Sequence, residues 1–166
     1  MDKISFKIFL VAIFSAIVIF CSTLALSLFF KEEKVISTKY VTNPNIFYTV
    51  ESCVNKYVGL VIAGEREAVF NVIDEGYKSE NNITIYDVLN INYAIDGNYT
   101  FVAKKMLEDK NKNHVYYVKG YLIEDNSVDD LVGKRKDYGV IVMLHSNNTY
   151  SIIPNISEVE EQFNET

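Results

Sequence analysis

From Ile8 to Phe30 the chain carries no charged residue, and Lys7 and Lys31 bracket the run. At about 1.5 Å of helical rise per residue, about 23 residues extend about 35 Å, enough to cross the ~30 Å hydrocarbon core of a bilayer with some tilt. Residues 8–30 therefore read as a single-pass transmembrane helix that anchors whatever folds after it. A cleavable signal peptide has a shorter apolar core of about 7–15 residues, and Thr23, Ala25 and Ser27 lie inside the apolar stretch instead of after it. Cys21 lacks a lipoprotein setting, because Ile19 and Phe20 precede it and the run continues past it. A buried globular helix would show a polar face, and here only Ser and Thr interrupt.

The flanks set the orientation. In the cytoplasmic N-terminus, residues 1–7, Lys3, Lys7 and the terminal amine outweigh Asp2, whereas Lys31, Glu32, Glu33 and Lys34 balance on the other side. The positive-inside bias leaves the C-terminal part extracytoplasmic. The chain's formal charge is −6, and Lys3 and Lys7 against Asp2 put the remainder near −7. An acidic domain is a poor match to nucleic acid.

About 136 residues follow the anchor, the size of one domain with one core. Cys53 is the single thiol beyond Cys21, so no disulfide closes within the domain, and its place on an apolar stripe predicts a buried thiol. Residues 31–47 carry charges, Ser, Thr, Asn and one Pro without an apolar period and read as a stalk. The extracytoplasmic domain is expected over residues 48–155, and residues 156–166 as a disordered acidic tail.

Val50, Cys53, Val54, Tyr57, Val58, Val61 and Ile62 recur at helical spacing, with Thr49 as expected N-cap and Gly64 as stop. A second helix follows on Ala68, Val69, Val72 and Ile73. Gly76 and the polar residues 78–82 break the pattern, and Thr84 with Asp87 resembles a capping box that opens a short third helix burying Ile85, Val88 and Leu89. Beyond Asn98 the period becomes strand-like. Residues 99–108 and 114–123 predict one hairpin, and residues 138–145 and 150–153 a second, joined by a charged loop over 124–137. The fold class is α+β, with two to three helices on a curved four-stranded antiparallel sheet.

This order of elements, with a second helix ending near Asp74 and Tyr77, resembles the nuclear-transport-factor-2-like, or cystatin-like, cone from Asn45 to about Asn155. Membrane-anchored proteins of this layout are similar to assembly factors of bacterial type IV secretion and conjugation and to proteins of low-GC Gram-positive bacteria. In isomerases and dehydratases of the cone class, the resemblance implies a carboxylate base and a Tyr or His donor in the cavity. Tyr57, Asp74, Tyr77, Tyr93, Tyr117, Tyr121 and His145 are the candidate pocket residues, together with Asp96. Buried strand tyrosines usually serve packing, so these do not define a catalytic site.

No catalytic motif, cofactor-binding loop or metal-ligand spacing is present. His114 and His145 lie in separate hairpins, and the Glu124, Asp125, Asp129 and Asp130 cluster lacks the alternation and glycine of a calcium loop. Asn82, Asn98, Asn147, Asn155 and Asn164 begin glycosylation-type triplets, which an Asn-rich chain generates by chance. The expectation is a non-catalytic binding or scaffold domain outside the membrane, recognising a protein or peptide. The alternatives are a small-molecule binder or cavity enzyme, and an assembly component of a secretion or conjugation apparatus.

Overall fold

The computed structural model describes residues 37–92, 94–124 and 135–164, all of them in the unit Ile36–Thr166. Residues 8–30 lie outside the described residues. Among the described residues no helix is long and apolar enough to cross a membrane.

Asn43 opens the first helix, α1 (Pro44–Ile62), where its Oδ1 accepts the Asn45 N–H at 3.0 Å and Pro44 fills the first turn. Proline suits that position because its missing N–H would have no helical partner. The helix therefore starts before the expected cap Thr49, whose hydroxyl instead donates to the Asn45 carbonyl within α1. Its stripe of Val50, Cys53, Val54, Tyr57, Val58 and Val61 is buried, as the spacing predicts. Burial also raises the pKa of the Cys53 thiol. Gly64, at φ 71°, closes the turn into α2 (Arg66–Val72).

Five strands form one antiparallel meander in the order β1-β2-β3-β4-β5: β1 (Thr38–Tyr40), β2 (Tyr99–Asp109), β3 (Val115–Glu124), β4 (Arg135–Leu144) and β5 (Tyr150–Ile153). The sheet is thus larger than the expected four strands. The added strand lies within the expected stalk, where Thr38, Lys39 and Tyr40 pair with Asp109, Glu108 and Leu107. A run of three residues shows no alternation of its own; the outer edge of β2 at Leu107–Asp109 provides its place. The β4 strand also reaches back to Arg135, into the segment expected as a loop, of which residues 125–134 lie outside the described residues.

Two further expectations are corrected. Residues 85–92 form consecutive turns, although Thr84 N–H donates to Asp87 Oδ2 at 2.9 Å as a capping pair would. The extra helix lies earlier, α3 (Glu75–Glu80), capped by Asp74, whose Oδ1 accepts the Tyr77 N–H. The expected disordered tail is α4 (Ile156–Asn164). Ile156, Val159 and Phe163 recur on one face of it, and Val159 is fully buried against the sheet with Leu107, Val115, Tyr117 and Ile141. Packing of that face outweighs the helix's acidic composition.

Helix α1 fills the opposite face of the sheet, against Phe101, Met106, Tyr116, Val118, Leu122, Val140 and Val142. It also closes a sheet edge. Beyond the three β1 pairs the outer side of β2 has no strand neighbour among the described residues, and there Asn55 accepts the Phe101 N–H at 2.9 Å and donates to the Phe101 carbonyl at 2.8 Å. One turn away, Glu51 Oε1 accepts the Ala103 N–H at 2.8 Å. The ladder shifts register between Ala103 and Lys105, opposite Gly120. A Cβ at Gly120 would lie 2.2 Å from the Val102 carbonyl oxygen and 2.8 Å from the Phe101 ring, so only glycine fits where the bulge bends the sheet.

Replacing Asn55→Ala orphans both Phe101 main-chain groups and is expected to destabilise the domain by about 2–4 kcal/mol, measured by urea unfolding; a loss under about 0.5 kcal/mol would contradict an edge-capping role. Glu158 in the first turn of α4 has its pKa raised above 4.5, chiefly by burial. A carboxyl with a higher folded pKa binds more protons in the native state, so its burial costs stability at neutral pH and the cost fades as pH falls through the folded pKa to 4.5. Glu158→Gln should therefore raise Tm near neutral pH, with the gain absent below 4.5 in thermal scans.

Candidate functional site

Strand β5 pairs with β4 only from Ile141 to Leu144. On that side, among the described residues, the earlier half of β4 has no strand neighbour, although it pairs with β3 along its whole length, and a cleft of about 690 Å³ lies along it. Lys136, Asp137, Tyr138 and Gly139 of β4 form one wall. Asn155, Ile156 and Ser157, the entry into α4, form a second, and Ile91, Asn92, Ala94 and Asp96 a third, with Tyr77 of α3 at one end. The second wall is held in shape because the Asn155 side chain caps α4, accepting the Glu158 N–H at 3.2 Å.

The rim carries fixed charges. Lys136 Nζ donates to Asp96 Oδ1, which also accepts the Tyr99 hydroxyl at 2.9 Å. Those bonds hold the Asp96 carboxyl below its ordinary pKa, Lys136 contributing most, and raise Lys136 above its own. Both groups are thus ionised across the physiological range. Lys136 additionally lies over the Tyr99 ring at 5.0 Å, tying the 94–96 segment to β4.

Beneath the rim the polar groups are buried. The Tyr57 hydroxyl donates to Asn92 Oδ1 at 2.8 Å, and Asn92 Nδ2 donates to the Val88 carbonyl at 2.7 Å. Burial drives the Tyr57 pKa upward, and the Tyr138 pKa as well. Tyr138 is 6% exposed, and among the described residues its hydroxyl has no hydrogen-bond partner. Its ring is fixed edge-on to Phe101, 5.9 Å between centroids.

The candidate residues from the sequence are divided among several places. Tyr77 and Asp96 line the cleft, and Tyr57 stands behind it through Asn92. Asp74 caps α3, and its N–H donates to the Ile152 carbonyl at 3.0 Å, covering part of the β5 edge. Tyr117 is buried beneath α4, where burial pushes its pKa up to about 12. Tyr121 accepts from Lys104 Nζ at 2.8 Å, with Arg135 5.9 Å from its ring. His145 Nε2 is 3.2 Å from Ser151 Oγ in the β4–β5 turn. Tyr93 lies outside the described residues.

Lys136, Asp137, Asn92, Tyr138, Asn155 and Ser157 line the cleft without having been singled out as pocket residues in the sequence, Asn155 and Ser157 having been noted only as part of a glycosylation-type triplet. Asn92 had no signal, and the others fell in segments expected as loop, strand or tail. Among the described residues no group of three or more His, Cys, Asp or Glu side chains is placed to hold a metal ion. Comparison of the chain with protein-family models, with curated proteins and with solved structures finds no match.

A buried hydroxyl without a partner costs about 1–3 kcal/mol. Tyr138→Phe, which keeps the ring, is expected to stabilise the protein by about 1 kcal/mol in chemical denaturation; a destabilisation of that size would show that the hydroxyl is satisfied.

Proposed function

We propose that this chain is a non-catalytic binding domain, presented outside a cell membrane by the helix at residues 8–30, whose cleft beside β4 receives a segment of a partner protein. The observation that carries this reading is a cleft bordered by a half-unpaired strand and a rim of permanently ionised groups. Such a rim orients a polar ligand but offers no proton near neutral pH. The bend at Gly120 and the helix-filled inner face support a cone-like architecture.

The cavity-enzyme reading draws on Asp96, which sits at the cleft within hydrogen-bond reach of a tyrosine. The same contacts weaken it as a base, since the Lys136 ammonium and Tyr99 hydroxyl stabilise its charged form. A binding role uses those charges as they stand.

In intact cells a photoreactive benzoylphenylalanine at Ser157, on the cleft wall, should give an adduct with a second polypeptide. The same group at Tyr86, which is 74% exposed and outside the cleft, should not. Equal yields at both positions, or none at Ser157, would overturn the proposal.

A further inference from the structure

The hydrogen-bond parity of β4 can be fixed from its end. Leu144 N–H donates to the His114 carbonyl on the β3 side, and His145 N–H donates to the Thr149 carbonyl on the β5 side. The β3–β4 register runs from Val115↔Met143 to Ile123↔Arg135 without a shift. In an antiparallel ladder successive residues turn their main-chain groups to opposite sides, so even-numbered residues of β4 bond to β3 and odd-numbered ones face the β5 side. Asp137 and Gly139 therefore direct their N–H and C=O groups away from β3, where β5 has already ended.

Among the described residues nothing hydrogen-bonds these groups on that side. Gly139 is nevertheless buried, and buried main-chain polar groups are nearly always paired. The other open edge shows how the fold treats this problem: on β2 the equivalent groups are filled by Asn55 and Glu51. On β4 no side chain does this, and a cleft lies there instead.

We infer that the cleft binds an extended, basic segment of a partner protein by strand addition, with the main chain of Asp137 and Gly139 hydrogen-bonding the incoming segment. This rests on the binding role proposed above and specifies its mode. Residues 135–140 of β4 extend about 20 Å, enough for a strand of about six residues. Ile156 and Ser157 on one side and Asn92 and Asp96 on the other line the cleft that the incoming backbone would enter. Charge favours a basic occupant: the chain beyond Phe30 is near −7, and Lys136 is already neutralised by Asp96. Main-chain pairing supplies affinity in such complexes, and side chains at alternate positions supply selectivity.

The test uses the full-length protein in detergent micelles and a synthetic library of capped heptapeptides with lysine at the centre and random residues elsewhere. Amide exchange is followed by NMR. The Asp137 and Gly139 amides should exchange quickly in the free protein and slow at least tenfold on adding the library, and a backbone N-methylated library should leave them unchanged. Proline at 137 deletes an N–H that makes no bond to β3, so Asp137→Pro should bind about tenfold more weakly than Asp137→Ala, equivalent to one net hydrogen bond. Peptide binding that shifts Tyr77 and Ser157 resonances but leaves both amides exposed overturns strand addition and keeps the binding cleft. Equal binding of N-methylated peptides overturns it in the same way. Absence of any peptide binding overturns both proposals.

Discussion

The constraint on which this fold rests is the need to satisfy the main chain at the edges of a five-stranded sheet. Helix α1 meets it with one element used in two ways. Its apolar stripe lies on the inner face of the sheet, and each valine fully buried there contributes about 1.5–3 kcal/mol. From the flank of that stripe, Glu51 and Asn55, one turn apart, reach the outer edge of β2. Helical spacing of four residues thereby matches the two-residue spacing of outward-facing strand groups at Phe101 and Ala103. The helix is held both in depth and in register, and the inner core follows from that placement.

The opposite end of the meander is organised differently. Strand β5 is four residues long, and its outer edge is covered where Ile73 and Asp74 meet Ile152. The chain then turns at Pro154 into α4, which crosses to the other face and packs Val159 over Gly139. A side chain at Gly139 would press on that helix, a Cβ there being 3.0 Å from Val159, so that Val159 would have to give way. On the side away from β3, the first half of β4 is consequently flanked by a helix start and a turn segment instead of a strand, and this is what shapes the cleft.

Where a segment's own residues carry its structural reason, the sequence reading agrees with the fold. The α1 stripe from Val50 to Val61 and the β-branched and aromatic runs around Val118 and Val140 are of this kind. Where the reason lies in a distant partner, the reading fails. Thr38, Lys39 and Tyr40 become a strand because β2 is open beside them, and Ile156, Val159 and Phe163 become a helical face because the sheet lies under them. The cleft combines both kinds. Tyr77, beside the expected end of the second helix, and Asp96 were legible as candidate pocket residues, but Lys136, Asp137 and Asn155 gain meaning only from the strand that stops short next to them.

One consequence follows from the shared use of residues Asn155 to Ser157, which form both a wall of the cleft and the cap and first residues of α4. Any molecule that favours one arrangement of that wall must, by thermodynamic reciprocity, also favour the seating of α4 that goes with it. The C-terminal helix is thus positioned as a lever on the site: its contact surfaces, including the Lys119–Glu160 ion pair at 3.4 Å, lie far enough along the chain to be altered without touching the cleft. Occupancy of the cleft, as proposed, and the seating of α4 would then be two readings of a single equilibrium.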